Sequence, residues 1–284
     1  MNADYFIRNL VAEDIPEAMK LVLAEGWNQT ENDWKLFIEN PDNDCKCIVA
    51  EGKLVGTATT YRFSEDLAWV SMVLVDKNFR GLGYGKALMK SVLTELKDCK
   101  SVKLDATSAG EKVYEKLGFV KEYSISRWIC DSFEEKLLPN PEISEINNRD
   151  LLSVIEYDKS AFGAARSEII KSFARNFPKI CRISKNEKKI SGIALGRKGN
   201  KHFQIGPVSA ISDLVAKELI TSVLNKLKHQ SVVIDLLDDK PNLAQWLSEL
   251  GFQQKRSFWR MYLNDNSFPG YSAHQFAICG PEFG

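Results

Sequence analysis

The chain has 284 residues, and its 38 Lys and Arg balance its 38 Asp and Glu. That neutrality, with no long basic run, argues against charge-driven nucleic-acid binding, and no apolar stretch approaches the ~20 residues that span a bilayer. The length suggests one large or two ordinary domains, with ample material for buried cores.

The first segment, Met1-Asn2-Ala3-Asp4-Tyr5, lacks the basic and apolar regions of a signal peptide, which points to the cytoplasm. Asp14-Ile15-Pro16-Glu17 reads as a capping-box start to a helix that runs through Met19 and Leu23. Gly26-Trp27-Asn28-Gln29-Thr30 links it to a second helix, from about Glu31 to Glu39, that stops before Pro41. Strands follow at about 46–50, 54–63 and 67–76. The six cysteines (45, 47, 99, 130, 181 and 279) are scattered. Cys45 and Cys47 share one strand face, but three histidines and no second Cys pair give a metal ion no ligand set. They read as reduced, mostly buried thiols, and His202, His229 and His274 as structural or exposed.

The third strand feeds Val73-Leu74-Val75-Asp76-Lys77-Asn78-Phe79-Arg80-Gly81-Leu82-Gly83-Tyr84-Gly85-Lys86-Ala87-Leu88. Glycines at alternate positions let backbone approach a ligand closely. The first amides of the helix expected over 81–97 have no internal partner and carry the positive end of its dipole. Leu88, Val92 and Leu96, widened by Met89 and Leu93, give that helix its apolar stripe. The run is a seat for a phosphate or pyrophosphate. Its spacing is G-x-G-x-G, not the dinucleotide G-x-G-x-x-G, and no Gly-Lys-Ser/Thr completes a P-loop. A strand at 102–106, a helix at 110–117 and a strand at 121–130 complete the unit.

Arg80-x-x-Gly83-x-Gly85 after a strand resembles the coenzyme A pyrophosphate loop of the GCN5-related N-acetyltransferases (GNAT). The later run Val113-Tyr114-Glu115-Lys116-Leu117-Gly118-Phe119 resembles the same family, in which a tyrosine precedes a Leu-Gly-Phe turn. The resemblance covers residues 5–130. It implies acetyl-CoA held by Val73, Leu74, Val75, Arg80, Gly81, Leu82, Gly83, Tyr84, Gly85, Lys86, Thr107 and Tyr114, with coenzyme A as co-product and no metal. It further implies a backbone N–H near Val73 or Leu74 polarising the thioester carbonyl and Tyr114 as acid for the sulfur.

The unit occurs twice. Lys86 to Leu96 aligns without gaps on Lys217 to Leu227, with six of eleven positions identical, and Val102 to Arg127 matches Val233 to Arg260. The fold expected is α/β (α+β), as two tandem GNAT-like mixed-sheet domains at residues 1–130 and 143–284, joined by a linker at 131–142. Extending the gapless alignment back sets Ile211, Ser212, Leu214 and Ala216 opposite Arg80, Gly81, Gly83 and Gly85, and matching the Leu-Gly-Phe turns sets Leu247 opposite Tyr114. The second copy is thus expected to be degenerate, leaving one coenzyme per chain in the N-terminal domain.

An amine acceptor must be neutral to react, so a base or a water path is needed. Asp76, Asp105 and Glu111 are candidates, each with a plain structural alternative. Trp27, Asn28, Trp69 and Ser71 are expected to line the acceptor pocket. Asp158, grouped with Phe162, Gly163 and Arg166, is an amine partner or half of a structural ion pair. This grouping, and the terminal Gly280-Pro281-Glu282-Phe283-Gly284, resemble a tandem subgroup of the family with a degenerate C-terminal acetyltransferase-like domain, and that domain is expected to close the acceptor site. The reading is an acetyl-CoA-dependent N-acetyltransferase for a small primary amine, as a monomer or homodimer. Alternatives are a peptide or protein N-acetyltransferase and a non-catalytic acyl-CoA sensor. The acceptor, the base and the tail's position are not legible at this level.

Overall fold

The computed structural model describes residues 4–284; Met1, Asn2 and Ala3 of the N-terminal segment lie outside the described residues. The first half runs β1 (Tyr5–Asn9), α1 (Ile15–Ala24), α2 (Glu31–Ile38), β2 (Lys46–Ala50), β3 (Lys53–Arg62), β4 (Leu67–Val75), α3 (Tyr84–Glu95), β5 (Ser101–Thr107), α4 (Ser108–Glu115) and β6 (Val120–Cys130). The second runs β7 (Ser144–Glu145), α5 (Leu151–Phe162), α6 (Ser167–Asn176), β8 (Arg182–Asn186), β9 (Lys189–Lys198), β10 (Phe203–Ala210), α7 (Asp213–Leu224), β11 (Val232–Leu237), α8 (Pro241–Glu249) and β12 (Gln253–Asn264). A short strand, β13 (Gln275–Ala277), lies in the tail.

Pro16 sits in the first turn of α1, where its missing N–H is no loss. Asp14 does not cap that helix. Its carboxylate turns back to the Val11 amide at 3.0 Å and the Arg8 guanidinium at 2.6 and 2.7 Å, a stronger charge-assisted set. The capping box falls instead at α2, where the Thr30 N–H donates to Asp33 Oδ2 at 2.7 Å. The Leu-Gly-Phe turns are equivalent in both halves. Gly118 (φ 93°) and Gly251 (φ 86°) take the left-handed conformation that ends a helix. The Phe119 N–H reaches the Tyr114 carbonyl as the Phe252 N–H reaches that of Leu247, so Tyr114 and Leu247 occupy equivalent positions.

The thirteen strands form one sheet, in the order β1-β2-β3-β4-β5-β12-β6-β11-β13-β10-β9-β8-β7. Two mixed α/β GNAT-like units share it, and they exchange their last long strands. β12 pairs with β5, Phe258–Asn264 against Thr107–Ser101. β6 pairs with β11, Cys130–Ile125 against Val232–Leu237. The exchanged strands also pair with each other. Residues 131–142 carry no helix or strand, so each unit is completed by a strand from beyond that connection.

Two ion pairs lock the exchange. Arg260 on β12 grips Asp105 on β5 with two bonds of 2.9 Å, and Arg127 on β6 grips Asp235 on β11 with two of 2.7 Å. All four side chains are buried or nearly so. Removing one partner of such a pair leaves an uncompensated buried charge, at a cost of ~3–5 kcal/mol.

Helices α3 and α4 pack on one face of the first unit and α7 and α8 on the corresponding face of the second. On the opposite face, α1, α2, α5 and α6 share one apolar cluster with Phe283 of the tail. All six cysteines are buried and unpaired. Among the described residues, no helix is long and apolar enough to cross a membrane.

Candidate functional site

β4 and β5 run parallel but pair only over Leu67–Trp69 and Ser101–Lys103. Past Trp69 the β5-facing edge of β4 loses its partner. A bulge follows, in which Ser71 to Leu74 oppose Thr59 to Thr57 and Met72 takes φ 50°. The Thr57 hydroxyl donates to the Met72 carbonyl at 2.8 Å, and the Ser71 and Thr59 hydroxyls meet at 3.0 Å. A cleft of about 750 Å³ opens between the splayed strands.

The glycine loop closes one end. Helix α3 begins at Tyr84, not at 81, with Gly83 as its N-cap at φ 85° and no side-chain cap. Gly81 is likewise left-handed, at φ 78°, and a Cβ added at Gly81 or Gly83 would enter open space. The first intrahelical bond runs from the Ala87 N–H to the Gly83 carbonyl, so the amides of Tyr84, Gly85 and Lys86 have no helical acceptor. Arg80 stands beside them, held by the Val75 carbonyl at 3.1 Å and by Glu25 at 2.5 Å. Bare left-handed glycines, free amides and a neighbouring guanidinium fit a diphosphate. Of the residues expected here, Val73, Leu74, Val75, Arg80, Gly81, Gly83, Tyr84, Gly85, Lys86, Thr107 and Tyr114 line the cleft. Leu82 does not; it points outward and is exposed. Thr107 also caps α4 through the Gly110 N–H. Burial pushes the Tyr114 phenol up to about 12, so it holds its proton throughout the neutral range.

On the α1–α2 face, Trp27 and Ser71 line the cleft, as expected. Asn28 does not, because its amide clasps the second unit. Its oxygen accepts from the Lys201 and His202 N–H groups at 3.0 Å each, and its nitrogen donates to the His202 carbonyl. Trp69 lies one layer behind, its indole N–H on the Pro281 carbonyl at 3.0 Å and its ring over Arg260. Asp158 is sealed in an ion pair with Arg166, at 2.7 and 2.9 Å, and Arg166 also donates to the Gly284 carbonyl. Each has the right residue type close to the cleft but is spent on holding the two units or the tail.

The acidic candidates are also engaged. Asp76 accepts from the Asn78 N–H at 2.8 Å, Asp105 is held by Arg260, and Glu111 pairs with Lys121. The sequence reading missed Gln29, Arg127, Arg256, Phe258 and Glu282, which also line the cleft. Glu282 takes the Gln29 amide at 2.7 Å, and Arg197 bridges Glu282 and Asp33. Burial pushes the Asp33 carboxyl up, against the opposing pull of Arg197. Gln29 lies in the link between α1 and α2, Glu282 in the tail, and Arg127, Arg256 and Phe258 on the exchanged strands; the linking segment, the terminal run and the paired arginines of the repeat are the traces they leave in the sequence.

The second unit repeats the splay and closes it. β10 parallels β11 over Phe203–Ile205 and Val232–Ile234, then bulges at Gly206-Pro207. The opening beyond is filled by β13, whose Ala277 pairs with Val208 on one side and Leu236 on the other. The tail passes so close that a Cβ on Gly206 would collide with the Ile278 carbonyl. Only Ile211 and Ser212 lie between β10 and α7, against residues 76–83 in the first unit. The loop is therefore absent rather than substituted, and the gapless pairing of Ile211 with Arg80 does not hold in space. The Ser212 hydroxyl accepts from the Val215 amide, satisfying a group left bare at α3.

Comparison with known proteins agrees with this anatomy. Residues 9–119 match the acetyltransferase (GNAT) family model, and residues 154–277 match a second model, an acetyltransferase (GNAT) domain. The uncharacterized N-acetyltransferase YitH of Bacillus subtilis is 28% identical over 192 residues, covering 66% of this chain and 67% of YitH. Holothin acyltransferase of a Pseudoalteromonas strain is 22% identical over 241 residues, covering 84% of this chain and 81% of its own. Among solved structures, a candidate acetyltransferase from Pyrococcus horikoshii superposes with TM-score 0.81 at 22% identity, covering 99% of this chain and 96% of that one. A tandem GNAT protein from the clavulanic acid biosynthesis pathway superposes at 0.63 and 14% identity, covering 91% and 98%. At these identities the superpositions speak to fold. Two matched models in series, on two units of one architecture, make the chain a tandem-domain member of the GNAT superfamily.

Proposed function

We propose that the chain is an acetyl-CoA-dependent N-acetyltransferase of a small primary amine, with one coenzyme seat, in the cleft between β4 and β5. The observation that carries this is the contrast between the two splays. One keeps a bare glycine cradle at its mouth, and the other is filled by β13 and capped by Ser212. The coenzyme supplies the activated acetyl thioester. In this reading Arg80, Gly81, Gly83 and the first amides of α3 bind the diphosphate. The edge of β4 beyond Trp69, near Val73 and Leu74, offers an N–H to the carbonyl oxygen, a donor of a kind worth ~3 kcal/mol. Tyr114, half-buried and protonated, keeps a proton for the departing sulfur.

The acceptor amine approaches from the α1–α2 face, between Trp27, Ser71 and Glu282. Glu282 lines the cleft there and offers a carboxylate to the approaching ammonium. Holothin acyltransferase, named for an acyl transfer, supports the reaction class. The test is incubation with acetyl-CoA and pooled amines, monitored for free thiol. Amine-dependent thiol release is expected; binding of acetyl-CoA without turnover on any amine would indicate a sensor.

A further inference from the structure

The pseudo-symmetry of the exchanged strands exposes one position where the halves differ in charge. On β6 and β12, Arg260 lies opposite Tyr123, and Arg127 lies opposite Arg256. Arg260 and Arg127 are equivalent, each gripping the aspartate directly opposite on a neighbouring antiparallel strand. Their cross-strand partners are therefore equivalent too. Tyr123 accepts a hydrogen bond from Arg260 at 2.5 Å, so that corner is neutral and satisfied. Arg256 sets a second guanidinium beside Arg127.

The carboxylate that acts on Arg256, Asp235, is already shared. Asp235 is committed to Arg127 and also accepts from Gln204 at 2.9 Å. Among the described residues the Arg256 guanidinium has no hydrogen bond and no ion pair, and it stands 5.6 Å from the Phe258 ring. Burial and the neighbouring Arg127 both lower its affinity for a proton. A half-buried, unpaired cation beside a like charge is unfavourable unless a ligand completes it. Arg256 lines the cleft. Alternation along β12 puts it on the same face as Phe258 and Arg260, the face of Asp105, away from α3 and α4. That is the acceptor side, not the side of the glycine cradle.

We propose that the acceptor carries a carboxylate, and that Arg256 is the residue that pairs with it. The inference rests on the transferase reading and narrows its substrate to amino acids, α or ω. Glu282 and Arg256, which both line the cleft, then match the two ends of a zwitterion. A guanidinium suits this task because it presents paired donors in a carboxylate's own geometry.

The experiment compares amino acids with their amides as acetyl acceptors, for the wild type, Arg256→Gln and Arg256→Lys. The expected result is a wild-type preference for the acid of about tenfold or more in kcat/KM. Arg256→Gln should bring that ratio near one, chiefly through KM, and Arg256→Lys should restore part of it. Acetyl-CoA affinity should not change, and the Tm of Arg256→Gln should hold or rise, since a repulsion is removed. Equal use of acid and amide by the wild type, or a ratio that survives Arg256→Gln, overturns the proposal. A second arm offers succinyl-CoA with the amides. An Arg256-dependent preference for that donor would assign the carboxylate to the acyl group and also overturn it. Calorimetry with the coenzyme A-saturated protein separates the two levels. Arg256-dependent binding of amino acids without thiol release supports the carboxylate site and sinks the transferase reading. Acetyl transfer without acid–amide discrimination does the reverse, and an absence of both binding and transfer for every acid rejects the site.

Discussion

Replacing Tyr114 by Phe removes one oxygen and leaves the ring. The ring keeps its tilted contact with Phe119, at 6.0 Å between centroids, and its place against Gly110. The hydroxyl has no hydrogen-bond partner among the described residues, so Tm should change little. In the proposed mechanism the loss is that of a proton donor, and positioned general acids contribute ~10²–10⁴-fold to rate, or roughly 2.7–5.4 kcal/mol at about 1.36 kcal/mol per decade. The expected outcome is a kcat lower by at least a hundredfold, with acetyl-CoA affinity within about twofold, measured by thiol release and calorimetry. The pH profile supplies the sign. Burial raises the phenol to about 12, so its acid form persists well past the ordinary tyrosine value of 10. Tyr114 should therefore cause no alkaline loss of kcat up to about pH 10. The same shift makes the fold hold this proton more tightly than the unfolded chain does. Stability from it is present below pH 10 and is lost as pH climbs toward 12. A kcat within threefold of wild type, or an alkaline limb below pH 10 that disappears in Tyr114→Phe, would refute the assignment.

Gly83→Ala forces an L residue to φ 85° and pushes a methyl into the cradle. The strain is ~1–2 kcal/mol, and the larger expected effect is at least a tenfold rise in acetyl-CoA Kd by calorimetry. Asp235→Ala strands the Arg127 guanidinium in the exchange, and denaturant unfolding should show a loss of ~3–5 kcal/mol; a change below 1 kcal/mol would contradict the locking role. Gly206→Val drives a side chain into the tail beside Ile278, and limited proteolysis should then cleave between residues 265 and 284 much faster than in the wild type.

The features legible in the sequence are those written locally. The cradle, Tyr114 and its turn each occupy a few consecutive residues, and the repeat is a comparison of such segments. Strand exchange is different. β6 and β12 look like strands whichever neighbour they take, because alternation reports a buried face and not the identity of the strand alongside. β13 is three residues long and has too few positions for any period. Arg256 and Glu282 join the cleft through contacts over more than a hundred residues; the terminal run draws notice to Glu282, but nothing adjacent in the chain tells where either side chain ends up. Asn28 and Trp69 show the converse, since residue type and neighbourhood suited the pocket while their bonds run to the other unit and the tail. The missing loop was read as substitution because similarity in the following helix carried a gapless alignment past its end.

The central claim is a single coenzyme seat at the glycine loop of a two-unit chain. Calorimetric titration of the full chain with acetyl-CoA, repeated on Gly83→Ala, tests it most directly. One site per chain is expected in the wild type, with severe weakening of that site in the variant. Two equivalent sites per chain, or one site untouched by Gly83→Ala, would contradict it.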